Sequence, residues 1–135
     1  NVILENNDLK ERYKTIDYLD DLAMRNAAGL ATVIISRAGA SSISEIAVWG
    51  VPSIIIPITE SNGDHQRKNA YEYAAGGAAL VIEEANLSPH ILLAEIKKVM
   101  SNPAQMKKMS EAAQRFARID SAEVVAREIL KLGIH

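Results

Sequence analysis

Three short apolar segments, separated from each other by helical patterns, constrain the fold of this chain more than any other feature. The segments are LATVIIS (30–36), VPSIIIPI (51–58) and AALVIEE (78–84). The residues between them, 42–50 and 64–77, have helical patterns that end at glycines. Short continuous apolar runs are typical of strands covered on both faces, and alternation with helices implies parallel strands joined by crossovers. The sequence therefore predicts an α/β fold with a parallel sheet and flanking helices.

Composition is consistent with one such unit spanning residues 1–135. Hydrophobic residues make up 48% of the 135-residue chain but aromatic residues only 4%, so the core must consist mainly of aliphatic side chains and alanine. The absence of cysteine excludes disulfides, zinc–thiolate sites and a cysteine nucleophile. A net charge of -2 argues against a nucleic-acid-binding domain. No apolar run approaches the roughly 18 residues of a transmembrane helix.

Three helices are predicted after the last strand. A serine–proline pair at 88–89 predicts the start of the first, and an asparagine–proline pair at 102–103 that of the second. The third is predicted to start at Asp120, which stands in capping-box spacing with Glu123. The positions expected to face the core are Leu92, Ile96, Val99 and Met100 in the first helix and Val125, Ile129 and Leu132 in the third.

The first 29 residues carry weaker signals. NVIL (1–4) is compatible with a strand. DYLDDLAMRNAAG (17–29) predicts a turn into a short helix, with Leu22 and Met24 available for the core.

The loop in ISRAGASSISE (35–45) is a candidate binding loop because it follows a strand and leads into a helix. Gly39 and its small neighbours let the backbone approach a ligand, and a helix N-terminus offers unpaired N–H groups and partial positive charge to a phosphate. Ser41 and Ser42 add hydroxyl donors. On spacing alone the favoured interpretation is structural: Ser42 caps the helix and Glu45 closes a capping box.

Arg37 directly follows the first strand and has two possible roles. It can bind a phosphate, or it can pair with a carboxylate and hold the loop. The second is favoured because a charge so close to the sheet needs a partner.

The loop TESNGDHQRKNA (59–70) is long for a strand-to-helix connection, and long loops are often binding loops. Asp64 is a plausible N-cap, which puts His65 and Gln66 in the first helical turn, where a ligand would lie. A lone histidine there is more often a plain surface residue. No metal-ligand spacing surrounds it, and no nucleophile elbow, P-loop or dinucleotide fingerprint occurs, so neither a metal, a cofactor nor a catalytic residue is predicted.

SRAGASSISEIAVWGVPSIIIPI, DHQRKNA and GGAALVIEE, in this order, resemble the C-terminal half of the MurG family over residues 15 to 130. These bacterial glycosyltransferases move N-acetylglucosamine from its UDP carrier onto lipid I to make lipid II. The resemblance implies a GT-B fold, in which two Rossmann-like domains face each other across a cleft. The C-terminal domain binds the UDP-sugar, and the N-terminal domain binds the lipid acceptor.

The resemblance also implies which residues bind the donor. Uracil would lie beside Tyr18 and Leu19, with the Leu19 backbone reading the base edge. The amides of Ala40 and Ser41 and the Ser42 hydroxyl would hold the diphosphate, and Ser42 would cap the helix when the site is empty. Glu45, now better read as a ligand than as a cap, would accept hydrogen bonds from the ribose hydroxyls.

His65 and Gln66 would face the sugar, although many members have a glutamine pair there and His65 departs from it. Arg37 matches a family arginine read mainly as a loop organiser. Residue 1 is Asn, and both the family's GGS-type loop and its acceptor domain are missing. We therefore expect a portion of an enzyme, inactive alone, with strands lacking at one sheet edge.

The family further implies peripheral contact with the cytoplasmic face of the bacterial inner membrane, carried mostly by the acceptor domain, and lipid I as acceptor. Two other hypotheses remain. The chain could be the donor half of another UDP-sugar-dependent GT-B transferase, or a non-catalytic α/β interaction module without nucleotide affinity.

Overall fold

A computed structural model describes residues 10–59 and 65–133 and contains a three-stranded parallel sheet. The strands are β1 (Ile34–Ser36), β2 (Ser53–Ile55) and β3 (Ala79–Val81), in the order β1-β2-β3. The register aligns Ile35 with Ile54 and Ile54 with Leu80. Each strand lies within one of the predicted apolar segments, so the prediction of a parallel α/β sheet is confirmed.

Five helices surround this sheet in the described part of the chain. They are α1 (Asp21–Leu30), α2 (Ala40–Trp49), α3 (His65–Ala75), α4 (Pro89–Met100) and α5 (Pro103–Gly133). Helix α2 connects β1 to β2 and helix α3 connects β2 to β3, with short 3-10 turns at Lys10–Arg12 and Glu84–Asn86. The predicted strand at 1–4 and the predicted N-cap Asp64 lie outside the described residues.

Alternate residues of β2 face two different apolar layers. Ile55, fully buried, belongs to a cluster with buried side chains of α2, α3 and α5. Ile54, also fully buried, packs in the opposite cluster, to which α4 contributes Leu92 and Ile96. The central strand is therefore covered on both faces, as its uninterrupted apolar sequence predicts.

Helix α2 starts two residues earlier than the sequence suggests, and the predicted capping box is wrong. Gly39 is the N-cap, and the Ile43 amide donates to its carbonyl oxygen at 3.0 Å. Ser42 therefore lies inside the first turn and cannot cap the helix. The small residues before Ser42 are compatible with both helix and loop, so the sequence alone did not show where α2 begins. The other end is as predicted, at Gly50, whose φ of 67° is left-handed.

Helix α5 is continuous, so the predicted helix start at Asp120 is also wrong. Asp120 Oδ2 accepts a hydrogen bond from Ser44 Oγ at 3.0 Å, and neither proline nor glycine interrupts the sequence before Gly133. The predicted burial of Val125, Ile129 and Leu132 is wrong as well, because these side chains are 57%, 62% and 76% exposed. The buried side chains of α5 are Met109, Ala112 and Ala113, and Phe116 and Ala117 pack against the cluster that includes Ala112 and Ala113.

The predicted caps Ser88 and Asn102 are confirmed, whereas several of the predicted core positions in the other helices are wrong. Ser88 Oγ accepts from the Ile91 amide at 3.1 Å, and Asn102 Oδ1 accepts from the Gln105 amide at 3.1 Å. Val99 is fully buried, as predicted. The exposed side chains that were predicted to be in the core are Met100, Leu22 and Met24, at 52%, 68% and 39%. In α1 only the small Ala28 is buried, since this helix touches the rest of the fold through one narrow face.

Candidate functional site

The carboxyl ends of the three parallel strands meet at one edge of the sheet, where open α/β folds bind ligands. Residues 37–39 follow β1, residues 56–59 follow β2 and residues 82–84 follow β3. Polar side chains from all three segments contact each other at this edge.

The N-terminus of α2 is open at this edge. In the part of the chain that the structure describes, no side chain hydrogen bonds to cap it, and its first turn contains no acidic residue. Ala40 and Ser41 are exposed and Ser42 is half-buried. Among the described residues, a Cβ added to Gly39 would come within 4 Å only of Ser42 Oγ, at 3.7 Å. Unpaired first-turn amides and the helix dipole make this a suitable place for an anion.

Arg37 pairs with a carboxylate, as the sequence favoured. Its Nη1 lies 3.2 Å from Glu84 Oε1 and donates to the carbonyl oxygen of Ile56 at 3.4 Å. One arginine thus connects the end of β1 with the ends of both other strands. This arrangement organises the loop before α2.

Glu84 also holds the loop that follows β2. Its Oε2 accepts from the Thr59 hydroxyl at 2.8 Å and from the Thr59 amide at 3.2 Å. Thr59, through these two bonds, is the main cause that lowers the pKa of Glu84, and the charge of Arg37 acts in the same direction. The carboxyl group is therefore ionised at neutral pH.

Gln66 lies in the first turn of α3 with its side chain turned to the end of β2. Its Oε1 accepts from the Ile58 amide at 3.1 Å. A backbone N–H requires an oxygen acceptor, so the amide nitrogen of Gln66 is left with its two donors for other partners. His65, the first residue of the helix, is exposed.

A cleft of about 480 Å³ lies between α1 and α2, and we call it the α1–α2 cleft. It brings together two of the predicted site residues, Leu19 and Glu45. Tyr18, in contrast, is 83% exposed and does not line it. The other residues that line the cleft include Met24, Arg25, Ser44 and Trp49.

Sequence reasoning missed the acidic pair after β3. Glu84 joins the two loops, whereas Glu83 turns to the flank of α3, where its Oε1 accepts from Arg67 Nε at 2.9 Å and from the Tyr71 hydroxyl at 2.6 Å. The hydrogen bond with Glu83 raises the pKa of Tyr71 and lowers the pKa of Glu83. The available signal was two consecutive carboxylates at a strand end on the ligand-binding edge of a parallel sheet.

The described residues offer neither a metal-binding cluster nor a membrane-spanning helix. Across residues 10–59 and 65–133, no group of three or more histidine, cysteine or acidic side chains is arranged to hold a metal ion. None of the helices in these ranges combines the length and apolar character needed to cross a bilayer.

Comparison with known proteins gives one consistent result. The glycosyltransferase family 28 C-terminal domain matches residues 2–125. A protein of Geobacter metallireducens named UDP-N-acetylglucosamine--N-acetylmuramyl-(pentapeptide) pyrophosphoryl-undecaprenol N-acetylglucosamine transferase is 39% identical over 115 residues, covering 85% of this chain and 31% of the relative. A protein of the same name from Salinibacter ruber is 35% identical over 131 residues, covering 97% of this chain and 35% of the relative.

The fold is similar to that of a solved member of the same group. The crystal structure of Acinetobacter baumannii MurG superposes with a TM-score of 0.68 at 30% identity, covering 77% of this chain and 29% of that one. The chain thus spans about a third of the length of the curated relatives that it matches.

Proposed function

The chain belongs to glycosyltransferase family 28, and from this premise we propose that it forms the donor-binding domain, residues 1–135, of a transferase that uses UDP-N-acetylglucosamine. The observation that carries the proposal is the α1–α2 cleft. Leu19 and Glu45 both line it, and Glu45 lies in α2 more than one helical turn from the open N-terminus of that helix. A nucleoside and a diphosphate therefore have adjacent places along a single helix.

In this proposal the nucleoside occupies the α1–α2 cleft. The Leu19 backbone reads the uracil edge, and the exposed Tyr18 next to it closes over the base. Glu45 accepts hydrogen bonds from the ribose hydroxyls, which it can do because it is not engaged in a capping box. Hydrogen bonds to a charged carboxylate are the stronger kind, so this residue contributes much of the preference for a ribose.

The diphosphate lies against the first turn of α2. The amides of Ala40 and Ser41 and the hydroxyl of Ser42 donate to its oxygens. When the bond to the anomeric carbon breaks, negative charge grows on the departing UDP, and the helix dipole and these fixed donors stabilise it. Arg37 keeps this loop in place through Glu84 and Ile56.

The sugar then extends towards the end of β2. Gln66 has its oxygen occupied by the Ile58 amide and so presents N–H donors to the sugar oxygens. His65 stands where many members of the family have the first residue of a glutamine pair, and its exposed side chain is a second candidate contact for the sugar. No step of this account requires a metal ion or a cofactor.

For the complete enzyme we propose transfer to lipid I, giving lipid II in peptidoglycan synthesis. The relatives are named for an N-acetylmuramyl-(pentapeptide) pyrophosphoryl-undecaprenol acceptor. A second domain would hold this acceptor and make peripheral contact with the cytoplasmic face of the bacterial inner membrane. Roles in cell division and cell shape would follow from that reaction.

The proposal is tested by measuring the affinities of UDP and 2′-deoxy-UDP for the complete natural protein and for its Glu45→Ala variant. We expect the variant to lose roughly 10- to 100-fold in affinity for UDP, because a charge-assisted hydrogen bond disappears. Its loss for 2′-deoxy-UDP should be clearly smaller. Isothermal titration calorimetry gives both values.

Glu111→Ala is the matched control, since Glu111 is an exposed acid on α5, and it should leave both affinities unchanged. Equal losses for the two ligands in Glu45→Ala would contradict the assignment of Glu45 to the ribose. A complete protein that binds neither ligand would contradict the donor-binding function.

A further inference from the structure

Glu84 is a partly exposed carboxylate at the ligand-binding edge of the sheet. It accepts three hydrogen bonds, from residues that follow the two other strands. It begins the short turn Glu84–Asn86, three residues after the end of β3. Its two oxygens point to different strands: Oε1 lies 3.2 Å from Arg37 Nη1, and Oε2 accepts two hydrogen bonds from Thr59. A single side chain thus joins the carboxyl ends of all three strands.

Both residues that Glu84 holds are next to the proposed donor site. Arg37 stands two residues before Gly39, the N-cap of α2, and therefore controls where the open helix end lies. Thr59 follows Ile58, whose amide fixes the side chain of Gln66 at 3.1 Å. Two consecutive amides of one loop are thus held by Gln66 and by Glu84.

This arrangement is poorly suited to a purely stabilising role. The side chains of Arg37 and Glu84 are 48% and 37% exposed, and water screens ion pairs of this kind, so they contribute little to the free energy of folding. The fold is held by the two apolar clusters on either side of β2. Glu84 instead links the loop before α2 to the loop after β2.

We propose that Glu84 is a positioning residue for the donor site: it sets the loop before α2 and the loop that carries Gln66 so that diphosphate and sugar are bound at the same time. The inference rests on the proposed function and adds a residue to it. Glu84 acts through Arg37 and Thr59. Its three hydrogen bonds engage both carboxylate oxygens, and it makes no contact with the donor in this account.

The test compares Glu84→Ala with Glu83→Ala in the complete natural protein. Glu83 is the matched control because it is the adjacent acid and also pairs with an arginine and a hydroxyl, but those belong to Arg67 and Tyr71 on the flank of α3. We expect Glu84→Ala to raise the KM and the Kd for UDP-N-acetylglucosamine about tenfold, since small displacements of binding groups are costly. Glu83→Ala should change them less than about twofold, with both variants unfolding at similar temperatures.

Two further variants separate positioning from general disturbance. Glu84→Gln keeps an oxygen for Thr59 but loses the charge for Arg37, so its affinity should lie between those of the native protein and Glu84→Ala. Thr59→Val should weaken binding in the native protein and add no further loss to Glu84→Ala, as a double-mutant cycle would reveal.

The possible failures are distinguishable. A native protein that binds the UDP-sugar, together with a Glu84→Ala variant that binds it equally well, would overturn the positioning role and leave the donor-binding function intact. A fall in affinity for Glu84→Ala that is matched by Glu83→Ala would also overturn it. A native protein without affinity for the UDP-sugar would overturn the donor-binding function and the positioning role together.

Discussion

The ligand-binding edge of the sheet and the layer between the sheet and helices α2, α3 and α5 are held by different forces. At the edge, Arg37, Thr59 and Glu84 are joined by hydrogen bonds between partly exposed polar groups. In the layer beneath, Ile55 and Tyr73 are fully buried among apolar side chains. Stability and site geometry therefore reside in separate groups of residues, some of them only a few positions apart in the chain.

Ile55→Ala should have the largest effect on stability, and it tests whether the buried layer between the sheet and helices α2, α3 and α5 stabilises the fold. We expect a loss of about 2 to 5 kcal/mol in the free energy of unfolding, because the substitution leaves a cavity in a fully buried position. Urea denaturation measures it, with Ile55→Val as a graded control at about 0.5 to 1.5 kcal/mol. If Ile55→Ala lowers the free energy of unfolding no more than Ile55→Val does, the buried layer is not the main source of stability, and the contrast with the sheet edge is contradicted.

Tyr73 makes the buried layer sensitive to alkaline pH. Burial raises the pKa of its hydroxyl from 10.0 to about 12, and the neighbouring Ser53 hydroxyl offsets only part of this. The folded protein therefore keeps the proton more tightly than the unfolded chain. The associated stability, about 3 kcal/mol, is fully present below pH 10 and is lost as the pH rises towards 12.

Tyr73→Phe isolates this effect, since it keeps the ring that packs edge-on against Phe116 at 4.9 Å between centroids. Unfolding free energies of both proteins should be measured between pH 9 and 12.5. The native protein should lose stability relative to the variant within that window. Parallel curves would mean that the hydroxyl titrates as it does in water.

Gly50→Ala should have a smaller effect at the junction of α2 and α5. The left-handed φ of 67° is unfavourable for alanine, and a Cβ here would approach Gln114 Nε2 to 3.1 Å. We expect a loss of about 1 to 2 kcal/mol. Gly29→Ala in α1 is the control, since no other described part of the fold, apart from the adjacent residues and backbone of α1 itself, lies within 4 Å of its added Cβ, and it should stabilise by up to about 1 kcal/mol. Equal effects at both glycines would contradict this account.

Features determined by a few neighbouring residues were predictable from the sequence. The apolar run around Ile54, the end of α2 at Gly50 and the cap at Ser88 each depend on local chemistry, and all three predictions are confirmed. Pairing of Arg37 with a carboxylate followed from the cost of leaving a charge unpaired near the sheet.

Features that depend on distant partners were not predictable. Asp120 has a cap sequence, but it accepts a hydrogen bond from Ser44, which lies 76 positions away in the chain. Local sequence could not distinguish Glu84 from Glu83, because only the fold determines which carboxylate turns towards the loops. In both cases the deciding contact is tertiary.

The most direct test of the central claim is a titration of the complete natural protein, labelled with ¹⁵N, with UDP and then with UDP-N-acetylglucosamine, followed by TROSY NMR. The account predicts that UDP shifts the amide signals of Leu19, Ala40, Ser41, Ser42 and Glu45 most, and that the sugar adds shifts at Gln66. Signals from the exposed end of α5, residues 128–133, serve as the internal reference. Saturable binding that leaves the α2 signals unmoved, or no binding at all, would contradict it.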